Sequence, residues 1–232
     1  MAEALISFLA FFFLFLMSVV FHELGHAGAA YLCGDPTARD QGRITLNPIA
    51  HIDPIWSILM PILTTIVAHI PFGGAKPVPV NPLNFKHPRR DDLIVTLAGP
   101  AANLAQALIY AGLFLLLVGE TDPNAIADNG FGVILIGMVY VNIMLAVFNL
   151  LPVPPLDGSH VLAALLPRDV AEAYRRIGFF GILILLLLLY QTDLGVYLFF
   201  ATLKVLGVLG ISPTVALAAL KEIFGLAGRI GL

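Results

Sequence analysis

The chain has 232 residues, 59 % of them hydrophobic and 12 % charged, with a mean hydropathy of +0.94. That composition excludes an ordinary water-soluble domain and predicts an all-α, multi-pass membrane protein, folded as one membrane-embedded domain over residues 1–232. Its net charge of −3 lies mostly in the connections and leaves no broad basic surface for nucleic acid, while the single Cys33 excludes an internal disulfide and a paired-cysteine zinc site.

A helix needs roughly 20 apolar residues to cross a bilayer. In chain order the apolar runs are Ala4–Leu32, a doubtful Ile55–Ile70, Leu93–Val118, Phe131–Leu151, Ile177–Tyr190 and Leu194–Leu209, which predicts a helical bundle of five to six segments. No basic cluster precedes the first run and it continues to Leu32, so it reads as mature structure rather than a signal peptide. The doubtful run is short, carries Pro61, and is flanked by turn-rich stretches around Asn47-Pro48 and Pro71 to Pro82, as suits a re-entrant or interfacial segment. Small residues from Ala98 to Ala105 predict a close helix contact. Ser212 and Pro213 read as the N-cap and first residue of a last helix, expected along the membrane surface.

Chemistry enters in the first run. His22-Glu23-Leu24-Gly25-His26 puts two imidazoles one turn apart on the same helix face, where both can reach one metal ion. Zinc suits such donors, and a catalytic zinc keeps three protein ligands and an open position for water. Glu23 then stands where a general base takes the water's proton and passes it to the departing nitrogen. Three ionisable groups in five residues of an apolar run cost several kcal/mol unless compensated, and a bound dication compensates them.

The candidate third ligand is Asp157, in Asn149-Leu-Leu-Pro152-Val-Pro154-Pro-Leu156-Asp157-Gly158. The prolines stop a helix and force extended backbone, and Gly158 tolerates an unusual dihedral beside the aspartate. Taken alone, Asp157 reads more readily as an N-cap or turn residue than as a ligand; the histidine pair weights it towards the metal.

With these residues in view, the chain resembles the site-2 protease family of intramembrane zinc metalloproteases, in the compact form lacking appended PDZ or CBS domains. The matching stretches are Phe21 to His26, Gly42 to Pro48, Ala98 to Asn103 and Asn149 to Gly158. The resemblance implies one zinc on His22, His26 and Asp157, Glu23 as base, and hydrolysis of peptide bonds in or near transmembrane segments of membrane-protein substrates. It also implies substrate-positioning roles for Asn149 and Asn103, although Asn103 reads as well as an interhelical hydrogen-bonding residue.

Charge bias sets Lys86, Arg89, Arg90, Arg168, Arg175 and Arg176 on the cytoplasmic side and Glu120 to Asp128 outside. Asp157 then lies near the cytoplasmic face, which requires the first helix to run from outside to inside and Ile55–Ile70 to enter and return on one side. The absence of a further domain suits a prokaryotic cytoplasmic membrane. Asp35 to Asp53 and Gly73 to Pro82 are the expected walls of a water entrance. His51 reads as a turn histidine, His69 and His87 as edge residues, and His160 as a support for Asp157 or a turn cap. A metal-ion or proton-coupled transporter using the same polar residues, or an inactive membrane-segment binder, are the competing readings.

Overall fold

The computed structural model describes residues 2–60, 74–178 and 180–224, and all its regular elements there are helical. They are α1 (Ala2–Leu32), α2 (Thr37–Asp40), α3 (Pro88–Leu117), α4 (Pro123–Ala127), α5 (Gly130–Asn149), α6 (Asp157–Leu165), α7 (Arg168–Arg175), α8 (Phe180–Gln191), α9 (Leu194–Val208) and α10 (Pro213–Phe224), with short irregular turns between α2 and α3.

Phe13–Leu32 of α1, α3 and α5 are long and apolar enough to cross a membrane, and α7 with α8, bent by 75°, is a candidate broken fourth span. The expected five to six apolar segments are therefore not confirmed in full among the described residues. The reason is length: α8 has 12 residues and α9 has 15, about 18 and 22 Å of helix against roughly 30 Å of hydrocarbon. An apolar run interrupted by Thr192-Asp193 looks like two spans in sequence. Of the doubtful run, Pro54–Leu59 forms a single wide helical turn, and its remainder lies outside the described residues.

The chain divides into two compact units. The first takes Met1–Ser18, Asn103–Phe148 and Gly195–Leu232. Phe114, Ile126, Ile136, Leu206, Ile211 and Leu220 share its core. Burying Leu206 and Ile211 with Phe114 and Ile126 brings the end of α9 to the end of α3, and α10 packs on α4. The Ser212 hydroxyl accepts the Val215 N–H at 3.3 Å, as its capping role predicts. Val215, Ala216, Ala219 and Leu220 are buried in this core, so that face of α10 is spent on protein rather than lipid.

A polar network also crosses the first unit. Asn142 Nδ2 donates to Ser18 Oγ at 3.0 Å, Asn103 Nδ2 donates to Asn142 Oδ1 at 3.0 Å, and all three residues are fully buried. Amides lacking water must find such partners, so the network fixes helix register.

The second unit takes Val19–Ala102 and Asn149–Leu194. In it Gly25 meets Ala98 and Ala102 and His26 meets Val95, whereas in the first unit Ser18 meets Asn103. Going back along α1 advances along α3, so the two helices pair antiparallel, as the depth argument requires. A Cβ on Gly25 would stand 2.6 Å from the Ala98 carbonyl oxygen, which is why glycine sits there.

Beyond α1, buried Asp35 organises the loops: it accepts from Thr37 Oγ1 at 2.5 Å, Asn81 N at 2.6 Å and Asn84 Nδ2 at 2.8 Å. Gly42, at φ +65, turns the chain into buried Arg43.

Candidate metal centre

His22 and His26 project from the same face of α1, their rings edge to face with centroids 4.7 Å apart and their Nε2 atoms 3.1 Å apart. Asp157, at the first residue of α6, completes the group: its Oδ2 lies 3.4 Å from His22 Nε2 and its Oδ1 3.4 Å from His26 Nε2. Donors on a tetrahedral zinc, with bonds of about 2.0–2.1 Å, stand about 3.3–3.4 Å apart. The three side chains fit such an ion. Asp157 Oδ2 is also buried without a hydrogen-bond partner, an orphaned acceptor in a site that a cation would satisfy.

His26 Nδ1 lies 2.7 Å from the Val95 carbonyl oxygen. A carbonyl only accepts, so Nδ1 carries the proton and Nε2 keeps its lone pair for a metal. Burial pushes the Asp157 carboxyl up, but the two imidazoles beside it, His22 and His26, outweigh that and hold the group at about 2. It is a carboxylate at neutral pH.

Gly99 of α3 makes room for the rings. A Cβ there would stand 2.5 Å from His26 Cε1 and 2.8 Å from His22 Cε1, well inside contact distance. Gly158 works similarly: it sits inside α6 without a positive φ, and a Cβ on it would strike the Leu150 and Leu151 carbonyls. Close approach, not an unusual dihedral, requires glycine beside Asp157. The preceding prolines lie in turns rather than extended backbone. Leu156 is the N-cap of α6 and Asp157 makes no capping bond, which leaves its carboxylate for the histidines.

Glu23 is buried on the same helix, and its Oε2 accepts the Val78 backbone N–H at 2.8 Å. Val78 belongs to an irregular strap tied on both sides. The Lys76 N–H donates to the His51 carbonyl at 2.8 Å, Arg43 Nη2 donates to the Lys76 carbonyl at 2.8 Å, and Asn81 N–H ends on Asp35.

A family model described as peptidase family M50 matches residues 10–127 and 118–189, and so takes in all the residues of this group. The chain belongs to peptidase family M50. Membership bears out the site-2 protease resemblance and makes the protein a peptidase of a membrane protease family.

This M50 peptidase is 39 % identical over 192 residues to "Putative zinc metalloprotease YwhC" of Bacillus subtilis, covering 82 % of this chain and 83 % of that one. It is 35 % identical over 185 residues to "Putative zinc metalloprotease Rip2" of Mycolicibacterium smegmatis, covering 79 % and 68 %. The protein of the same name from Mycobacterium tuberculosis H37Rv is 30 % identical over 203 residues, covering 88 % and 75 %. No solved structure matches.

The other polar residues of the M50 chain fall into distinct places. Asn149 ends α5 in the second unit, partly buried. Asn103 belongs to the buried network with Asn142 and Ser18. His51 is buried, with Nε2 3.0 Å from the Thr45 carbonyl oxygen. His160 is exposed, its Nδ1 3.5 Å from Asp92 Oδ1. His87 is exposed and His69 lies outside the described residues. Sequence reasoning missed Val78, Gly99 and Val95, which act through backbone or through lack of a side chain; for Gly99 the small-residue stretch was the available signal.

Proposed function

We propose that this M50 peptidase is an intramembrane zinc endopeptidase that hydrolyses peptide bonds in or near transmembrane segments of membrane proteins. The observation that carries the proposal is the convergence of His22, His26 and Asp157, with donor atoms all within 4.8 Å of one another, where His22 and His26 stand on a helix apolar enough to cross a bilayer. One zinc ion would be held by these three residues, as the names of the relatives suggest. Bound there, zinc supplies Lewis acidity and a water of lowered pKa.

The chain's own residues do the rest. Glu23 takes a proton from the attacking water as its oxygen adds to the scissile carbonyl carbon, and gives that proton to the nitrogen when the carbon–nitrogen bond breaks. The Val78 N–H holds one carboxylate oxygen of Glu23, leaving the other to face the water. The Val95 carbonyl holds the His26 ring in its donor orientation. Asn149, at the end of α5, positions the substrate strand, whereas Asn103 serves helix packing through Asn142.

The orientation follows from charge. Lys86, Arg89, Arg90, Arg168, Arg175 and Arg176 face the cytoplasm of a prokaryotic cell, so α3 runs outward and antiparallel α1 runs inward. His22, His26 and Asp157 then lie near the cytoplasmic face.

Incubating the purified protein with a model transmembrane substrate tests the proposal. The wild type cleaves it and Glu23→Gln does not while keeping its zinc. Metal or proton movement across sealed vesicles without cleavage would favour the transporter reading instead.

A further inference from the structure

Two adjoining cavities open on the second unit, and neither is lined by His22, Glu23, His26 or Asp157. One, of about 360 Å³, lies among the start of α3, α6 and α7; the other, of about 460 Å³, lies beside the start of α3. Pro88, Arg89 and Arg168 line both, so the cavities meet between these two arginines.

The nearby charges are mostly spent. Asp92 is flanked by His160 Nδ1 at 3.5 Å and Arg175 Nη2 at 3.9 Å, and Arg90 pairs with Asp91 at 2.8 Å. Arg89 and Arg168 are exposed and make no ion pair among the described residues. Asp92 and Glu172 line the first cavity, while among the described residues no carboxylate lines the second. Arg89 stands in the first turn of the 30-residue α3 and Arg168 opens the eight-residue α7, so the positive ends of both helices add to the same field.

The position names the ligand. α3 turns apolar immediately after Asp92, and between α7 and α8 the chain bends by 75° from a charged helix into an apolar one. Both arginines therefore stand where hydrocarbon gives way to headgroups. Beside them the first cavity is walled by Pro82, Ala163, Leu166 and Ala171, a surface for a glycerol and the root of an acyl chain rather than for a hydrated free anion.

We propose that Arg89 and Arg168 form a binding site for the phosphate of an anionic glycerophospholipid, with the adjoining apolar wall receiving its glycerol backbone. The site is separate from the metal centre and does not depend on the protease reading.

Native mass spectrometry of the full-length chain, delipidated and then given equal amounts of dioleoylphosphatidylglycerol and dioleoylphosphatidylcholine, tests the site. The wild type retains phosphatidylglycerol preferentially. Arg89→Gln with Arg168→Gln lowers that retention by about 30-fold, taking each arginine at the usual contribution of a basic residue at an anionic membrane surface. Arg176→Gln, the same charge change outside both cavities, leaves the preference in place. Equal retention of the two lipids by the wild type overturns the proposal without reference to any variant. So does an equal loss in Arg176→Gln, which marks general surface charge, and so does displacement of the lipid by millimolar inorganic phosphate, which marks a free-anion site. Both substituted arginines are exposed and make no ion pair among the described residues, so circular dichroism of the double variant should match the wild type.

Discussion

The Val78 backbone N–H donates to Glu23 Oε2 at 2.8 Å, so the candidate base is aimed by a segment 55 residues away in the chain. Hydrogen bonds to charged groups contribute about 1.5–3 kcal/mol. Val78→Pro removes this donor, and kcat for a transmembrane substrate should fall by roughly tenfold or more with zinc content unchanged. Val80→Pro is the matched control, since Val80 also follows a proline but bonds no carboxylate; a parallel loss there would mean that the strap matters only as a whole.

Gly99→Ala places a methyl group against both imidazoles. Zinc content after purification should drop severalfold, because the rings must turn away from Asp157 to accommodate it. Gly112→Ala, on the same helix with open space around its Cβ position, should keep full occupancy.

How much of this was legible in sequence depends on whether a side chain carries it. The spacing of His22 and His26 implies convergence because one helical turn is a local rule, and Asp157 was found because prolines after Asn149 end a helix at that point. Val78 acts through its backbone amide and Gly99 through empty space, and neither leaves a side-chain signature. Five to six apolar segments are confirmed only in part, because apolar composition does not reveal that α8 is only 12 residues long. The packing of α10 on α4 is a long-range contact, so its amphipathic pattern reads equally as membrane-surface or core-facing.

The buried network predicts a specific coupling. Asn103→Ala and Asn142→Ala should each lower stability in detergent by about 1–2 kcal/mol, as a buried amide partner is orphaned. The double variant should lose less than the sum, with a coupling of about 0.6 kcal/mol or more. Strict additivity in thermal unfolding would mean that the two amides act separately.

Asp35 ties the loops below α1 to the strap. Burial raises its carboxyl, but hydrogen bonds from Thr37, Asn84 and Asn81 outweigh that and hold it below the ordinary aspartate value. A native value below the unfolded one means stability fully present above about pH 4–5 and lost as pH falls through the native value. Asp35→Asn should lower stability at neutral pH and flatten the decline below about pH 4, measured by unfolding across that range. An unchanged acid limb would place the titration elsewhere.

Metal content per chain, measured by elemental analysis on the purified wild type and single variants, tests the central claim most directly. The wild type and Glu23→Gln should each hold one zinc, while His22→Ala, His26→Ala and Asp157→Ala should each fall far below that, since every one removes a donor from a three-residue set. Full zinc retention by Asp157→Ala, or a wild type that binds none under conditions in which it cleaves its substrate, would contradict the account.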